Sequence, residues 1–124
     1  MDVGKLFSFD GRIGRGAFWG LSLVVLVAEL VAFALIGTAA ELLAGGSSAL
    51  VVALAVGVIV LFVIISLATN VKRWHDRDKS GFWMLISLVP IIGPLWAFIE
   101  QGFLSGTAGP NRYGIPSGGS PFAG

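Results

Sequence analysis

Cysteine is absent from this 124-residue sequence, so it can form neither a disulfide nor a thiolate metal site, and cysteine usage assigns it to no redox compartment. Charge is scarce as well. Only 12% of residues are Asp, Glu, Lys or Arg and the formal net charge is +1, which gives no electrostatic reason to expect a nucleic-acid partner. One histidine without cysteine falls short of the three or four ligands of a common zinc site, so no metal or cofactor is expected. Internal repeats are not visible, nor are the paired halves of an inverted-repeat transporter. A signal peptide is not expected either, because Asp2, Lys5, Asp10, Arg12 and Arg15 precede the first apolar run.

Apolar side chains dominate instead. They make up 56% of the chain and the mean hydropathy is +0.90, above the roughly 45–50% apolar content of soluble domains. A soluble fold of this length could not bury so much, so lipid is the expected solvent. The first run, "FWGLSLVVLVAELVAFALI" (residues 18–36), spans roughly 28 Å as a helix, close to the hydrocarbon thickness of a bilayer. The second, "ALVVALAVGVIVLFVIISLA" (49–68), contains no charge and spans roughly 30 Å. The third, within 82–104, is interrupted by Pro90, Gly93 and Pro94, which break the backbone ladder. It reads as a kinked third transmembrane helix or, as the rival, a re-entrant hairpin turning at Pro90 to Pro94. The expected fold is an all-α membrane helical bundle, one domain over 1–116, with a turn in the Gly/Ser-rich stretch of 37–48 and a flexible tail at 117–124.

The cations fall unevenly. Lys5, Arg12 and Arg15 precede the first run, and Lys72, Arg73, Arg77 and Lys79 separate the second from the third; the far side of a three-span chain would hold Arg112 alone. The positive-inside rule then places the N-terminus and the 69–81 loop in the cytoplasm of a multi-pass inner-membrane protein, and the C-terminus outside. Trp19, Trp74 and Trp83 fall near the cytoplasmic boundary, as interfacial anchors, and Trp96 near the opposite face.

Two features carry candidate chemistry. In "KRWHDRDKSGFW" (72–83), six of eight successive positions from Lys72 to Lys79 are charged. If the second helix continues past the membrane surface, Ser66, Asn70, Arg73 and Arg77 share a face, and Asp76 lies three residues from both Arg73 and Lys79. Asp78 or Ser80 would cap the next helix, with Gly81 easing the turn. The plain reading is a self-neutralising surface loop. The sharper one is a site for anionic lipid headgroups or a partner helix, built from Arg12, Arg15, Arg73, His75, Asp76, Arg77, Lys79 and Trp83, with Phe7, Phe9 and Phe18 dipping into the interface. Catalysis is not expected: His75 and Asp76 are neighbours and point apart on a helix, and no nucleophile elbow is present. "GRIGRG" lacks the Walker ending and the preceding strand of a phosphate loop. The second feature is Glu29, roughly 16 Å into the first run, where a charge costs at least about 2.5 kcal/mol. It reads as a neutral acid hydrogen-bonded in a helix interface, the preferred expectation, or as a group facing a water-filled cavity, which would suit a small channel- or transporter-like oligomer.

Three segments in order, "GRIGRGAFW" (11–19), "RWHDRDKSGFW" (73–83) and "GTAGPNRYG" (106–114), resemble the domain of unknown function 805 family of small bacterial inner-membrane proteins. The tail motif contributes Asn111, Arg112 and Tyr113. Trp74 stands where the family typically has leucine, Phe82 replaces its first tryptophan, and Ile115-Pro116 replaces its aspartate-proline. The resemblance implies a membrane architecture and motif boundaries, and its name implies no activity. The expected role is non-enzymatic: a membrane-organising or accessory protein that binds anionic lipid or partner helices, including a second copy of itself.

Overall fold

A computed structural model of the chain describes residues 3–44 and 49–116. The expected turn at Gly45–Ser48 and the expected flexible tail at 117–124 lie outside the described residues. All regular structure among the described residues is helical. A 3-10 turn at Val3–Phe7 precedes helix α1 (Arg15–Ala39), which widens into a π-helical turn at Ala40–Ala44. Helix α2 (Ala49–Asp76) follows, then a 3-10 helix at Gly81–Leu88 and helix α3 (Ile92–Phe103). The stretch from Gly37 to Ala44, expected as part of a loop, is helical, because its alanines and leucines favour a helix and no second glycine or proline follows Gly37 until Gly45.

Helix α1 through Leu42 and helix α2 are each long and apolar enough to cross a membrane. They pack against each other as neighbours, and the Ile13 amide donates to the Lys72 carbonyl at 3.3 Å, which sets the start of α1 beside the end of α2. Their burial pattern is that of a lipid-solvated pair. Leu23, Val24, Leu30, Leu35, Leu50, Val52 and Val60 are exposed, whereas the largest fully buried side chains are Trp74, Arg12, Arg73, Lys72 and Ile13. Apolar groups face outward and the charged cluster is enclosed, the reverse of a soluble domain.

Helix α2 runs 28 residues, roughly 42 Å, well past its apolar part. It ends in a Schellman closure: Lys79 N–H reaches the Trp74 carbonyl at 2.9 Å and Asp78 N–H reaches that of His75 at 2.9 Å, while Asp78 takes the left-handed φ of 59°. Ser80 occupies the position before the following 3-10 helix, but its side chain makes no capping bond, and Asp78 is turned to Arg112 instead. Neither caps as expected.

Of the two readings left open for the third apolar segment, the structure has the hairpin. The 3-10 helix Gly81–Leu88 covers roughly 16 Å and α3 roughly 18 Å in return, about half the hydrocarbon thickness. The turn between them is a γ-turn centred on Ile91 (φ 68°, ψ −61°), closed by the Ile92 amide on the Pro90 carbonyl at 2.7 Å. Close return requires Gly93, because a Cβ there would overlap the Ile86 carbonyl. Tryptophans tie the hairpin together, with ring centroids 6.0 Å apart for Trp74–Trp83 and 6.4 Å for Trp83–Trp96. Trp96 therefore stacks within the hairpin and does not anchor an opposite face. The chain after α3 returns to the basic end, so the tail motif lies beside the cluster it was expected to oppose.

Candidate functional site

The basic end is assembled from four pieces of sequence: the segment before α1, the last turns of α2, the end of α3 and the tail. Asp76 is its centre. One carboxylate oxygen takes Arg12, with Nε at 3.0 Å and Nη2 at 2.9 Å, and the other takes Arg73 Nη1 at 2.9 Å. Both guanidiniums are wholly buried, and their remaining donors go to backbone carbonyls. Arg12 holds Thr107 at 2.6 Å, Gly109 at 2.7 Å and Gly114 at 3.1 Å. Arg73 holds Gln101 at 2.6 Å and Leu104 at 2.5 Å. Arg15 donates to Phe103 at 2.9 Å, and Arg77 to Ser105. The arginines thus satisfy the last carbonyls of α3 and the tail that follows it, where helix termini leave acceptors unpaired and favour cations.

The tail fits around this centre. Thr107 N–H donates to the Asp76 carbonyl at 2.7 Å, and Gly106 passes so close that a Cβ would overlap the Asp76 carboxylate. Asn111 and Gly114 exchange backbone hydrogen bonds at 2.9 and 3.2 Å, while Asn111 Nδ2 reaches the His75 carbonyl at 2.9 Å. The resulting turn lays Tyr113 flat on His75, centroids 3.8 Å apart and 2° from parallel. Arg112 pairs with Asp78 on the outside at 3.2 Å. His75 Nδ1 meets the Gly11 carbonyl at 2.9 Å; burial holds its pKa below the usual histidine value, against the opposing pull of that carbonyl and of Asp10. Lys72, also beyond the apolar part of α2, reaches the Lys5 carbonyl at 2.6 Å, and burial, then the charge of Lys5, lowers its pKa.

A second acid organises the neighbouring edge. Glu100 on α3 is buried and accepts from Trp96 Nε1 at 2.9 Å, Lys79 Nζ at 2.5 Å and Arg77 Nε at 3.4 Å. Lys79 also lies over Trp83, 4.4 Å from the ring centroid. Beside Glu100, the outer face of α3 has an apolar hollow of about 410 Å³ lined by Ile92, Leu95, Trp96, Ile99 and Leu104.

Two expectations are corrected here. The cluster is not a solvated loop, since Lys72, Arg73, Trp74, His75 and Asp76 are all buried. Nor do Arg12 and Arg73 face headgroups, because α3 and the tail cover them and take their donors. Asp76 pairs with Arg73 as its spacing suggested, but Lys79 goes to Glu100. The proposed shared face of α2 does receive a partner: Gln101 Nε2 donates to the Asn70 carbonyl at 3.3 Å, beside the Arg73 bond to Gln101. The candidates that keep exposed surface are Arg15, Arg77, Lys79, Trp83, Asn111, Arg112 and Tyr113. Glu100 and Gln101 escaped the sequence reading. Their signal was an acid and an amide at the end of an apolar run, with Trp96 one turn earlier.

Glu29 stands apart, half-buried in a notch of about 150 Å³ between α1 and α2, lined by Ser22, Val25, Leu26, Ser66, Thr69 and Asn70. The expected hydrogen-bonded packing is not found: among the described residues its carboxylate has no side-chain or backbone partner. No group of three or more His, Cys, Asp or Glu side chains among the described residues could hold a metal ion.

A family model described as "Protein of unknown function (DUF805)" matches residues 6–115. The "Uncharacterized protein YiiR" of Escherichia coli K12 is 30% identical across 88% of this chain and 85% of its own length. The "Inner membrane protein YhaH" of the same strain is 32% identical across 86% of this chain and 84% of its own. The "Inner membrane protein YhaI" is 47% identical over a shorter stretch, 39% of this chain and 40% of its own. No solved structure gives a significant match.

Proposed function

The chain belongs to the DUF805 family, and from that premise we propose that it is a non-enzymatic accessory protein of the inner membrane that binds an anionic phospholipid at the edge of its basic end. An inner-membrane location follows from the two apolar helices and the relatives named for that membrane. The positive-inside rule orients the molecule: α1 and α2 cross, and the basic end, with both described termini, faces the cytoplasm.

The observation that carries the lipid reading is the hollow on α3 together with the cations at its end. Ile92, Leu95 and Ile99 offer an acyl chain an apolar channel that leads to Glu100 and Leu104. There Arg77 and Lys79 keep 26% of their side chains exposed, and exposed Arg15 is bound to the neighbouring Phe103 carbonyl. Three cations face one carboxylate, a local excess of two positive charges. Lys79 has three donors and Arg77 five, more than Glu100 and Ser105 consume, so a phosphate can be held without dismantling the ion pairs.

Native mass spectrometry of the protein extracted in mild detergent tests this. Replacing Arg77, Lys79 and Glu100 together by glutamine removes the cations without stranding a buried acid, and Leu95→Trp fills the hollow without touching charge. Both variants are expected to retain less phosphatidylglycerol and cardiolipin than wild type, while Arg112→Gln retains as much. Unchanged lipid in correctly inserted forms of the first two would refute the proposal.

A further inference from the structure

We infer that the notch around Glu29 is a binding site for a small monovalent cation, sodium being the fitting class. Three observations converge on it. Glu29 lies fourteen residues beyond Arg15, roughly 21 Å along α1, and helical side chains lean toward the N-terminus, which brings its carboxylate toward Ser66, Thr69 and Asn70 of α2. That carboxylate has no partner among the described residues, although an acid within an apolar helix requires compensation. The chain's own cations do not supply it: Arg12, Arg15, Arg73, Arg77, Lys79 and Arg112 are all engaged at the basic end.

The lining decides the sign of the ligand. Thr69 Oγ1 donates its proton to the Ile65 carbonyl at 2.8 Å, and Asn70 Nδ2 is drawn to the Ser66 carbonyl at 2.7 Å. These residues therefore present oxygen lone pairs to the notch, alongside the hydroxyls of Ser22 and Ser66 and the carboxylate itself. Such an acceptor-rich set repels an anion and matches a hard cation. With one carboxylate it is too weakly charged to strip a divalent ion of its water. A volume of about 150 Å³ exceeds the roughly 30 Å³ share of one water, so a sodium ion fits with part of its hydration shell.

Thermal unfolding of the full chain, purified in a non-ionic detergent free of phosphatidylethanolamine, tests the site by comparing sodium chloride with choline chloride at equal ionic strength. Choline is too bulky to enter. Sodium is expected to raise Tm by roughly 4 °C over choline as it saturates the folded state, and Glu29→Gln is expected to abolish the difference. Ser22→Ala with Ser66→Ala, which leaves the charge in place, should move the sodium midpoint to higher concentration, so the inference stays testable if Glu29→Gln does not fold. Equal Tm in the two salts would overturn it, as would a sodium effect that survives Glu29→Gln. A rise produced by added phosphatidylethanolamine and not by sodium would also overturn it, by assigning the notch to a lipid ammonium group.

Discussion

Asp76 holds two buried guanidiniums at once, and that makes it the residue on which the basic end depends. A buried ion pair is weak evidence of net stability, but removal of one partner leaves uncompensated charge in a low-dielectric site. Asp76→Asn is therefore expected to lower unfolding stability by about 3–5 kcal/mol, read as a fall in Tm and in protection of residues 105–114 from protease. His75 contributes a pH dependence of known sign. Its folded pKa is depressed by burial, so its contribution is present above the unfolded value of about 6.5 and is lost as pH falls below it. Tm should decline from neutral pH toward about pH 5, and His75→Gln should flatten that decline. An identical pH profile in the variant would show that another group is responsible.

The hairpin from Gly81 to Phe103 turns on two backbone conditions, one strained and one tight. Ile91 is a β-branched residue at φ 68°, where L side chains are disfavoured by about 1–3 kcal/mol. Ile91→Gly is expected to raise stability by about 1 kcal/mol, since glycine adopts that φ freely but has more unfolded-state freedom to lose. In a straight spanning helix the same substitution would lower stability by a similar amount, so the sign of the Tm change separates hairpin from span. Gly93→Ala should cost about 3 kcal/mol, because the obstacle is the Ile86 backbone carbonyl and not a side chain that can swing away.

With the third segment folded back, the molecule is a pair of apolar helices closed at one end by a charged plug. The closure places Ser8 and Ile115 at the same end, since both flank segments that meet at Arg12. The native chain has no cysteine, which suits single-cysteine labelling. Ser8→Cys and Ile115→Cys should both resist an impermeant maleimide in intact spheroplasts and both react after permeabilisation. Reaction of the Ile115→Cys protein alone in intact spheroplasts would restore a third crossing and reject the closed end.

Much of this architecture was legible from residue order. Apolar runs of bilayer length identify α1 and α2 because hydrocarbon selects uninterrupted apolar helices, and the spacing of Arg73 from Asp76 implies their pairing because three residues make nearly one helical turn. Three motifs placed the chain in its family. The direction of the third segment was not legible: Pro90, Gly93 and Pro94 permit both a kink and a reversal, and the choice rests on whether the freed backbone groups find partners. At the break the Ile86 and Pro90 carbonyls are taken by the Val89 and Ile92 amides. Arg73, Arg15 and Arg77 hold the carbonyls at the far end of α3 from positions 28–88 residues distant, and no local pattern encodes contacts of that range. The same distance hid the role of Arg12. By itself the sequence determined that cations gather at one end of two apolar helices; only the tertiary fold decided that they turn inward onto carbonyls, because the hairpin and tail return there with acceptors that lipid could not satisfy.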